Sequence, residues 1–145
     1  MLDVRIIPYK SKEYFLMLEL RNRVLREPLG LQFDEKQLNE EANDHHIGGF
    51  LKDGSLAWCL VLSPLNEHTV KMRQVATQPN LQRTGLGKYL AKEAESLALN
   101  HNYNTIVLHA RITAVDFYKK MGYQSIGDEF LEIGIPHIAM RKALL

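Results

Sequence analysis

The sequence predicts a single domain of mixed α/β class, and three observations carry that expectation. Short apolar or alternating stretches, spaced as strands, open the chain, fill its middle and close it. Between them lie segments whose apolar residues recur every three or four positions, as on one helical face. Turn residues (Asp53-Gly54, Pro64 to Asn66, Gly134 and Pro136) separate the short stretches. In order, the elements run β-α-β-β-β-α-β-α-β-β, with more strands than helices.

Asp3 to Pro8 alternates, with Val4 and Ile6 on one side, and reads as a first strand. Ser11 is placed to cap a helix whose apolar stripe is Leu16, Leu20 and Val24, with Arg21, Arg23 and Arg26 on its other faces. Glu27 to Asn43 is polar and irregular, with room for a short helix near Lys36 to Glu41. His46 to Leu51 and Ser55 to Leu62 flank Asp53-Gly54, a pair that favours the type I′ turn of a hairpin. Leu56 to Leu62 is apolar on both sides, which predicts a central strand covered on both faces. A strand from about Thr69 to Thr77 follows. Leu86, Leu90, Ala94 and Leu97 then line one face of a helix ending at Asn100. Thr105 to His109 is a short buried strand. Thr113 to Met121 is a helix closed by Gly122. Strands near Tyr123 to Glu129 and His137 to Lys142, joined by Gly134 and Pro136, complete the pattern.

The chain has 145 residues, enough for one domain with a sizeable core. No repeat, low-complexity segment or linker divides residues 1–145. Eighteen Lys and Arg against 17 Asp and Glu leave a net charge of +1, without the bulk field that draws a chain to nucleic acid or an anionic membrane. The single cysteine, Cys59, cannot form an internal disulfide and reads as a small buried hydrophobe. The opening residues carry Asp3, Arg5 and a proline, and lack the apolar core of a signal peptide. The longest apolar run, Leu56 to Leu62, is too short to span a bilayer. A cytoplasmic protein is the expectation.

The chemistry concentrates in "NLQRTGLGKYLAKEAESLAL", Asn80 to Leu99. A strand ends near Thr77, a short loop turns, and a helix begins near Gly85. The first turn of a helix offers free backbone N–H groups, and its dipole favours negative charge. Gly85 and Gly87 remove side chains where an anion must approach backbone. Two glycines by themselves also serve a tight turn. The nucleotide P-loop pattern G-x-x-x-x-G-K-[ST] fails here. With Gly87-Lys88 as its end, the first glycine position holds Gln82 and the hydroxyl position holds Tyr89. A dinucleotide fingerprint fails too, because its third glycine would be Leu90.

Gln82-Arg83-Thr84-Gly85-Leu86-Gly87 fits Q/R-x-x-G-x-G/A, and so resembles the acyl-coenzyme A pyrophosphate loop of the GNAT superfamily of N-acetyltransferases. The preceding "KMRQVATQP" looks like that family's fourth strand. "HARITAVDFYKKMGYQ" looks like its A-x-x-F-Y-x-x-x-G-F/Y segment, through Ala114, Phe117, Tyr118, Gly122 and Tyr123. The two motifs stand in the family's order, about thirty residues apart, and the element order agrees over essentially the whole chain. The resemblance implies a mixed, mostly antiparallel sheet flanked by helices. The tail "FLEIGIPHIAM" and the early "VLREPLGL" are similar to segments of the small bacterial ElaA-like acetyltransferases.

The resemblance further implies acetyl-coenzyme A (acetyl-CoA) as cosubstrate, its pyrophosphate held by backbone N–H groups of Arg83, Thr84, Gly85, Leu86, Gly87 and Lys88, with Gln82 opening the motif. Thr84 and Lys88 offer side-chain contacts as well. Val75, Ala76 and Thr77 would pair with the pantetheine arm as with an added strand, and one of their amides would polarise the thioester carbonyl. Tyr118 matches the family tyrosine that protonates the departing thiolate. Phe117 is expected in the core. Where many members carry Asn, this chain has Arg111, which suits a cofactor phosphate, an acidic acceptor or a solvated helix start. Where members often carry a Glu base on the fourth strand, it has Arg73 and Gln74. Candidate bases are then His137, Glu132, Glu129 and the pair His46 and Glu41. His137 ranks first, because an imidazole titrates near neutrality, and Glu132 second.

The implied reaction is direct acetyl transfer to a primary amine within a ternary complex. The alternative is a module that binds or senses acyl-CoA and transfers nothing. The acceptor, a small-molecule or peptide amine, falls to Arg21 to Asn43 and the last two strands. No metal is expected. His45 and His46 are adjacent, so on a strand they point to opposite faces, and neither H-E-x-x-H nor C-x-x-C occurs. Nucleic acid and membrane are not expected as partners, and a homodimer stays open.

Overall fold

The computed structural model describes residues 2–82 and 84–144. Its elements are β1 (Asp3–Ile6), α1 (Lys12–Leu25), α2 (Glu35–Glu40), β2 (His45–Phe50), β3 (Leu56–Pro64), β4 (Thr69–Thr77), α3 (Leu86–Asn100), β5 (Thr105–Arg111), α4 (Val115–Lys120), β6 (Gln124–Glu132) and β7 (Ile135–Ala143). The strands form a seven-stranded sheet in the order β1-β2-β3-β4-β5-β7-β6. Pairs β1–β2, β2–β3, β5–β7 and β6–β7 are antiparallel, and β4–β5 is parallel. This is the mixed, mostly antiparallel sheet with flanking helices that the sequence predicts. By contacts the chain forms two compact units, Met1–Ser63 with Arg73–Ala91, and Pro64–Met72 with Lys92–Leu145.

In the first unit, α1 starts where predicted, because the Ser11 hydroxyl accepts the N–H of Tyr14 at 3.2 Å. Its buried face is Tyr14, Met17, Leu20 and Arg21, while Leu16 is 38% exposed. The helical period holds, but Met17 takes the core position expected of Leu16. Arg21, expected on an outer face, is fully buried because Glu41 meets its guanidinium just beyond α2. Asp34 caps α2 by accepting the Gln37 N–H at 2.7 Å. The apolar contact expected of Ile6 falls to Ile7 instead. β1 is an edge strand, and Ile6 is 52% exposed.

Leu56 to Ser63 of β3 is buried throughout, as its unbroken apolar run requires. The β2–β3 turn differs from the type I′ expectation. Only Gly54 has positive φ (87°), and the Leu51 N–H donates to the Ser55 carbonyl at 2.8 Å, closing a three-residue loop. The Asp53 carboxylate accepts from the Ser55 N–H and hydroxyl, at 2.9 and 2.6 Å, which holds Asp53 out of the left-handed region. The core gathers Ile7, Tyr14, Met17, Leu20, Phe50, Leu56, Cys59, Val61 and Ala76. Burial pushes the Cys59 thiol up to about 12, the behaviour of an inert buried hydrophobe.

In the second unit, Thr69–Met72 of β4 pairs with Thr105–Leu108 of β5. Val70, Met72, Ile106, Leu108 and Ala110 alternate inward, and Ala94, Ala98 and Met140 are buried as well. β5 runs two residues past its expected end. A 3-10 turn, Ile112–Ala114, takes the place of the first turn expected of α4. The Tyr123 N–H donates to the Tyr118 carbonyl and Gly122 takes φ 96°, a Schellman-type end to α4. Phe117, expected in the core, is 39% exposed. α4 is less than two turns long and none of its residues is fully buried, Tyr118 being half-buried and Phe117 turned to the surface.

The last hairpin is longer than its sequence pattern suggests. Glu132 pairs with Ile135 across a two-residue turn, Ile133-Gly134, both at positive φ (52° and 72°). Pro136 lies inside β7 opposite Leu131, so it does not end the strand. Between the pairs Ile126–Ala139 and Phe130–His137, Gly127 to Glu129 bulge opposite Ile138.

Candidate active site

In the first unit, β4 leads into a 3-10 turn (Pro79–Leu81), a loop, and α3 at Leu86. The Gln82 amide donates to the Thr77 carbonyl at 3.2 Å, and the Thr84 hydroxyl donates to the Leu81 carbonyl at 2.6 Å. Both side chains shape the loop itself. Gly85 sits at φ 82°, and among the described residues nothing lies within 4 Å of where a Cβ would stand, so its backbone faces open space there. Gly87 and Lys88 are exposed, and the N–H groups of Leu86, Gly87 and Lys88 have no partner inside the helix they open. An uncrowded left-handed glycine before a helix start fits a pyrophosphate. Arg83 lies outside the described residues.

Upstream, Gln74 at φ 54° breaks the extended backbone of β4 just before Val75, Ala76 and Thr77. Ala76 is buried in the core, and Val75 and Thr77 are half-buried. The Thr77 carbonyl accepts from the Gln82 side chain. Gln78 ties the strand's end to α1. Its side chain accepts from Arg23 Nη2 at 2.9 Å and donates to the Leu56 carbonyl at 3.0 Å.

The same unit holds a cavity of about 280 Å³ lined by Leu18, Glu19, Asn22, Gln32, Phe33 and Leu38. Next to Phe33 stand the guanidiniums of Arg21 and Arg26, 4.5 and 4.1 Å from its ring. Arg21 Nη2 donates to Glu41 Oε2 at 3.0 Å; Nη1 approaches Oε1 at 2.9 Å without hydrogen-bond geometry. His46 Nε2 donates to the Glu41 carbonyl at 2.9 Å, and burial drives its pKa below 6.5. With Arg21 on the carboxylate and His46 sealed at 1% exposure, this pair is a structural core group.

The second unit gathers a different set of side chains. Arg111 pairs with His137, Val107 with Lys71, His137 with Phe130, and Ile135 with Glu132. Pairing and alternation therefore place Lys71, His109, Arg111, Phe130, Glu132 and His137 on one face of the sheet. Glu132 Oε1 accepts from His109 Nδ1 at 2.8 Å, and its Oε2 lies 3.6 Å from His137 Nε2. Lys71 Nζ also approaches His109 Nδ1, at 3.3 Å. One ring nitrogen cannot serve both, and the shorter contact to a carboxylate assigns it the proton. His137 Nδ1–H donates to the Ile135 carbonyl at 2.7 Å, which leaves Nε2, turned toward Glu132, as the ring nitrogen that can gain or give up a proton. The Phe130 ring meets His109 edge-on at 4.9 Å and stacks on His137 at 6.2 Å.

Partial burial pushes the Glu132 carboxyl up. The His109 hydrogen bond and the charges of His109, His137 and Lys71 outweigh it, so the group stays below its ordinary 4.5. His137 and Glu132 thus come together as candidates, while Glu129 lies in the unpaired bulge and has no hydrogen bond or ion pair with either. The sequence reading missed His109. The signal was its alternation with buried Leu108 and Ala110, which puts it on Arg111's face.

Tyr118 is half-buried between Phe117 and Tyr123, ring centroids 5.1 and 5.5 Å away, and burial raises its pKa. Its hydroxyl has no hydrogen-bond partner among the described residues, so the proton is held and available to donate. Among the described residues, no cluster of His, Cys, Asp and Glu has the arrangement of a metal site, and no helix is long and apolar enough to cross a membrane.

This fold, with a glycine loop between β4 and α3, is that of a GNAT-type domain. Residues 32–144 match the family model of the acetyltransferase (GNAT) domain, and the chain belongs to that family. The uncharacterized protein YyaT of Bacillus subtilis is 34% identical over 77 residues, 53% of this chain and 52% of that protein. The chain spans about half the length of the curated relatives it matches. The structure is similar to that of an acyl-CoA N-acyltransferase from Pseudomonas aeruginosa, with TM-score 0.85 and 25% identity over 99% of this chain and 100% of that one. Escherichia coli ElaA shares the fold, with TM-score 0.79 and 20% identity over 98% and 99% of the two chains.

Proposed function

We propose that the protein is an acetyl-CoA-dependent N-acetyltransferase that moves the acetyl group directly to a primary amine within a ternary complex. The observation that carries this reading is the cradle after β4, where Gly85 faces open space before the exposed first turn of α3. The pyrophosphate would rest on the N–H groups of that turn, and the pantetheine arm along Val75 to Thr77. Similarity to a solved acyl-CoA N-acyltransferase supports the cosubstrate.

The remaining groups divide the proton work. His137 Nε2 takes the proton of the amine, since its Nδ1 is committed to the Ile135 carbonyl. Glu132 is too weak a base for that task with its pKa lowered, and it stabilises the imidazolium instead. The amine nitrogen attacks the thioester carbonyl carbon, the C–S bond breaks, and the Tyr118 hydroxyl delivers a proton to the departing thiolate.

Thermal unfolding with acetyl-CoA, CoA, ATP and NAD at equal concentration tests the first half. A ligand at about 100 times its dissociation constant adds about 2.7 kcal/mol. A shift with the two coenzyme A species alone is the expected result; a shift with ATP or NAD, or none at all, overturns the reading. Tyr118→Phe tests the second half. It should lower kcat about 100-fold or more with coenzyme A affinity intact, and unchanged turnover would remove Tyr118 from the mechanism.

A further inference from the structure

We propose that the acceptor amine carries its own carboxylate, gripped by Arg111 while the amine lies beside Glu132 and His137. This rests on the acetyl-transfer reading above and names the class of its acceptor. Arg111 closes β5 directly opposite His137 of β7, so the two side chains leave the same face one strand apart. His109 stands two residues back on that face, and Phe130 and Glu132 join it from β6.

Charge decides what this patch attracts. Glu132 supplies one negative charge, and Lys71 and Arg111 supply two positive ones before either histidine takes up a proton. The Glu132 charge is already engaged by His109, with His137 and Lys71 close by. Asp128 and Glu129 stand in the β6 bulge, outside the paired ladder that places the other groups. Arg111 is exposed and has no partner among the described residues, so its charge is the uncompensated one in the patch. A guanidinium presents two parallel donors, which a carboxylate matches in geometry and charge. A polyamine would meet like charge here. An amino acid offers its amine to His137 Nε2, beside Glu132, and a carboxylate to Arg111.

The test compares kcat/KM, read by thiol release, for L-amino acids, their α-carboxamides and spermidine. The carboxylates should exceed their carboxamides by about tenfold or more, the worth of one charge-assisted pair. Arg111→Ala should collapse that ratio toward one through KM, and Arg111→Lys should restore part of it. Equal rates for acid and amide, a preference for spermidine, or no turnover of any amino acid by protein that binds coenzyme A would each overturn the proposal. So would a loss of coenzyme A affinity in Arg111→Ala, which would assign the guanidinium to a cofactor phosphate. Failure of the wild-type chain to bind coenzyme A would instead overturn the transfer reading itself.

Discussion

His46 is 1% exposed, and its Nδ1 has no hydrogen-bond partner among the described residues. Burial lowers its pKa, so the fold favours the neutral ring. That contribution is fully present above the ordinary value of 6.5 and is lost as pH falls through the lowered folded value. Acidification from neutrality should therefore lower Tm more in the wild type than in His46→Gln, whose amide can still reach the Glu41 carbonyl; parallel Tm profiles would refute this. Arg21 and Glu41 make the complementary case. Glu41→Gln strands a buried guanidinium and should cost about 3–5 kcal/mol in denaturant unfolding, whereas the paired change Arg21→Met with Glu41→Leu should recover most of it. Neither residue's fate was legible in sequence. Arg21 occupies a helical position that suits solvent equally well, and only the return of the chain through α2 brings Glu41 to it.

At the scale of elements, two turns and one glycine pair show where local sequence rules hold. Ile133 begins a two-residue turn at φ 52°, a conformation that a β-branched residue resists. Ile133→Asn should raise stability by about 1 kcal/mol, readable as an upward shift in denaturant midpoint with unchanged m. Gly48 and Gly49 of β2 lie against Ile7, Leu56 and Trp58, and a Cβ on Gly49 would stand 2.4 Å from the Trp58 ring. Gly49→Ala should cost about 1–3 kcal/mol, since a buried indole has nowhere to move. The Asp53-Gly54 turn was legible as a turn but not by type, because the Ser55 contacts that hold Asp53 are side-chain bonds outside the dipeptide rule. The length of the last hairpin was hidden by Pro136, which reads as a break yet sits one residue before β7 begins to pair with β5.

At the scale of the whole molecule, acid should reach the second unit through Glu132. Its lowered pKa gives a contribution present above 4.5 and lost as pH falls through the folded value. The stability gap between wild type and Glu132→Gln should be present at neutral pH and close in acid; a gap that persists would contradict the His109 contact. The sequence by itself determined the element order, the buried central strand β3, the Ser11 cap and the glycine loop before α3. Each depends on residues within a turn or two of one another, where propensity, periodicity and backbone freedom act directly. It also determined the family, through two motifs that keep their order and spacing. Only the tertiary structure decided that Arg21 is buried, that Phe117 is exposed, and that His109, Glu132 and His137 meet beside Arg111. The first follows from the return of the chain through α2, the second from the shortness of α4, and the third from the strand register that joins β5, β7 and β6. A shift of one residue in that register would turn every side chain to the opposite face, and no local pattern encodes it.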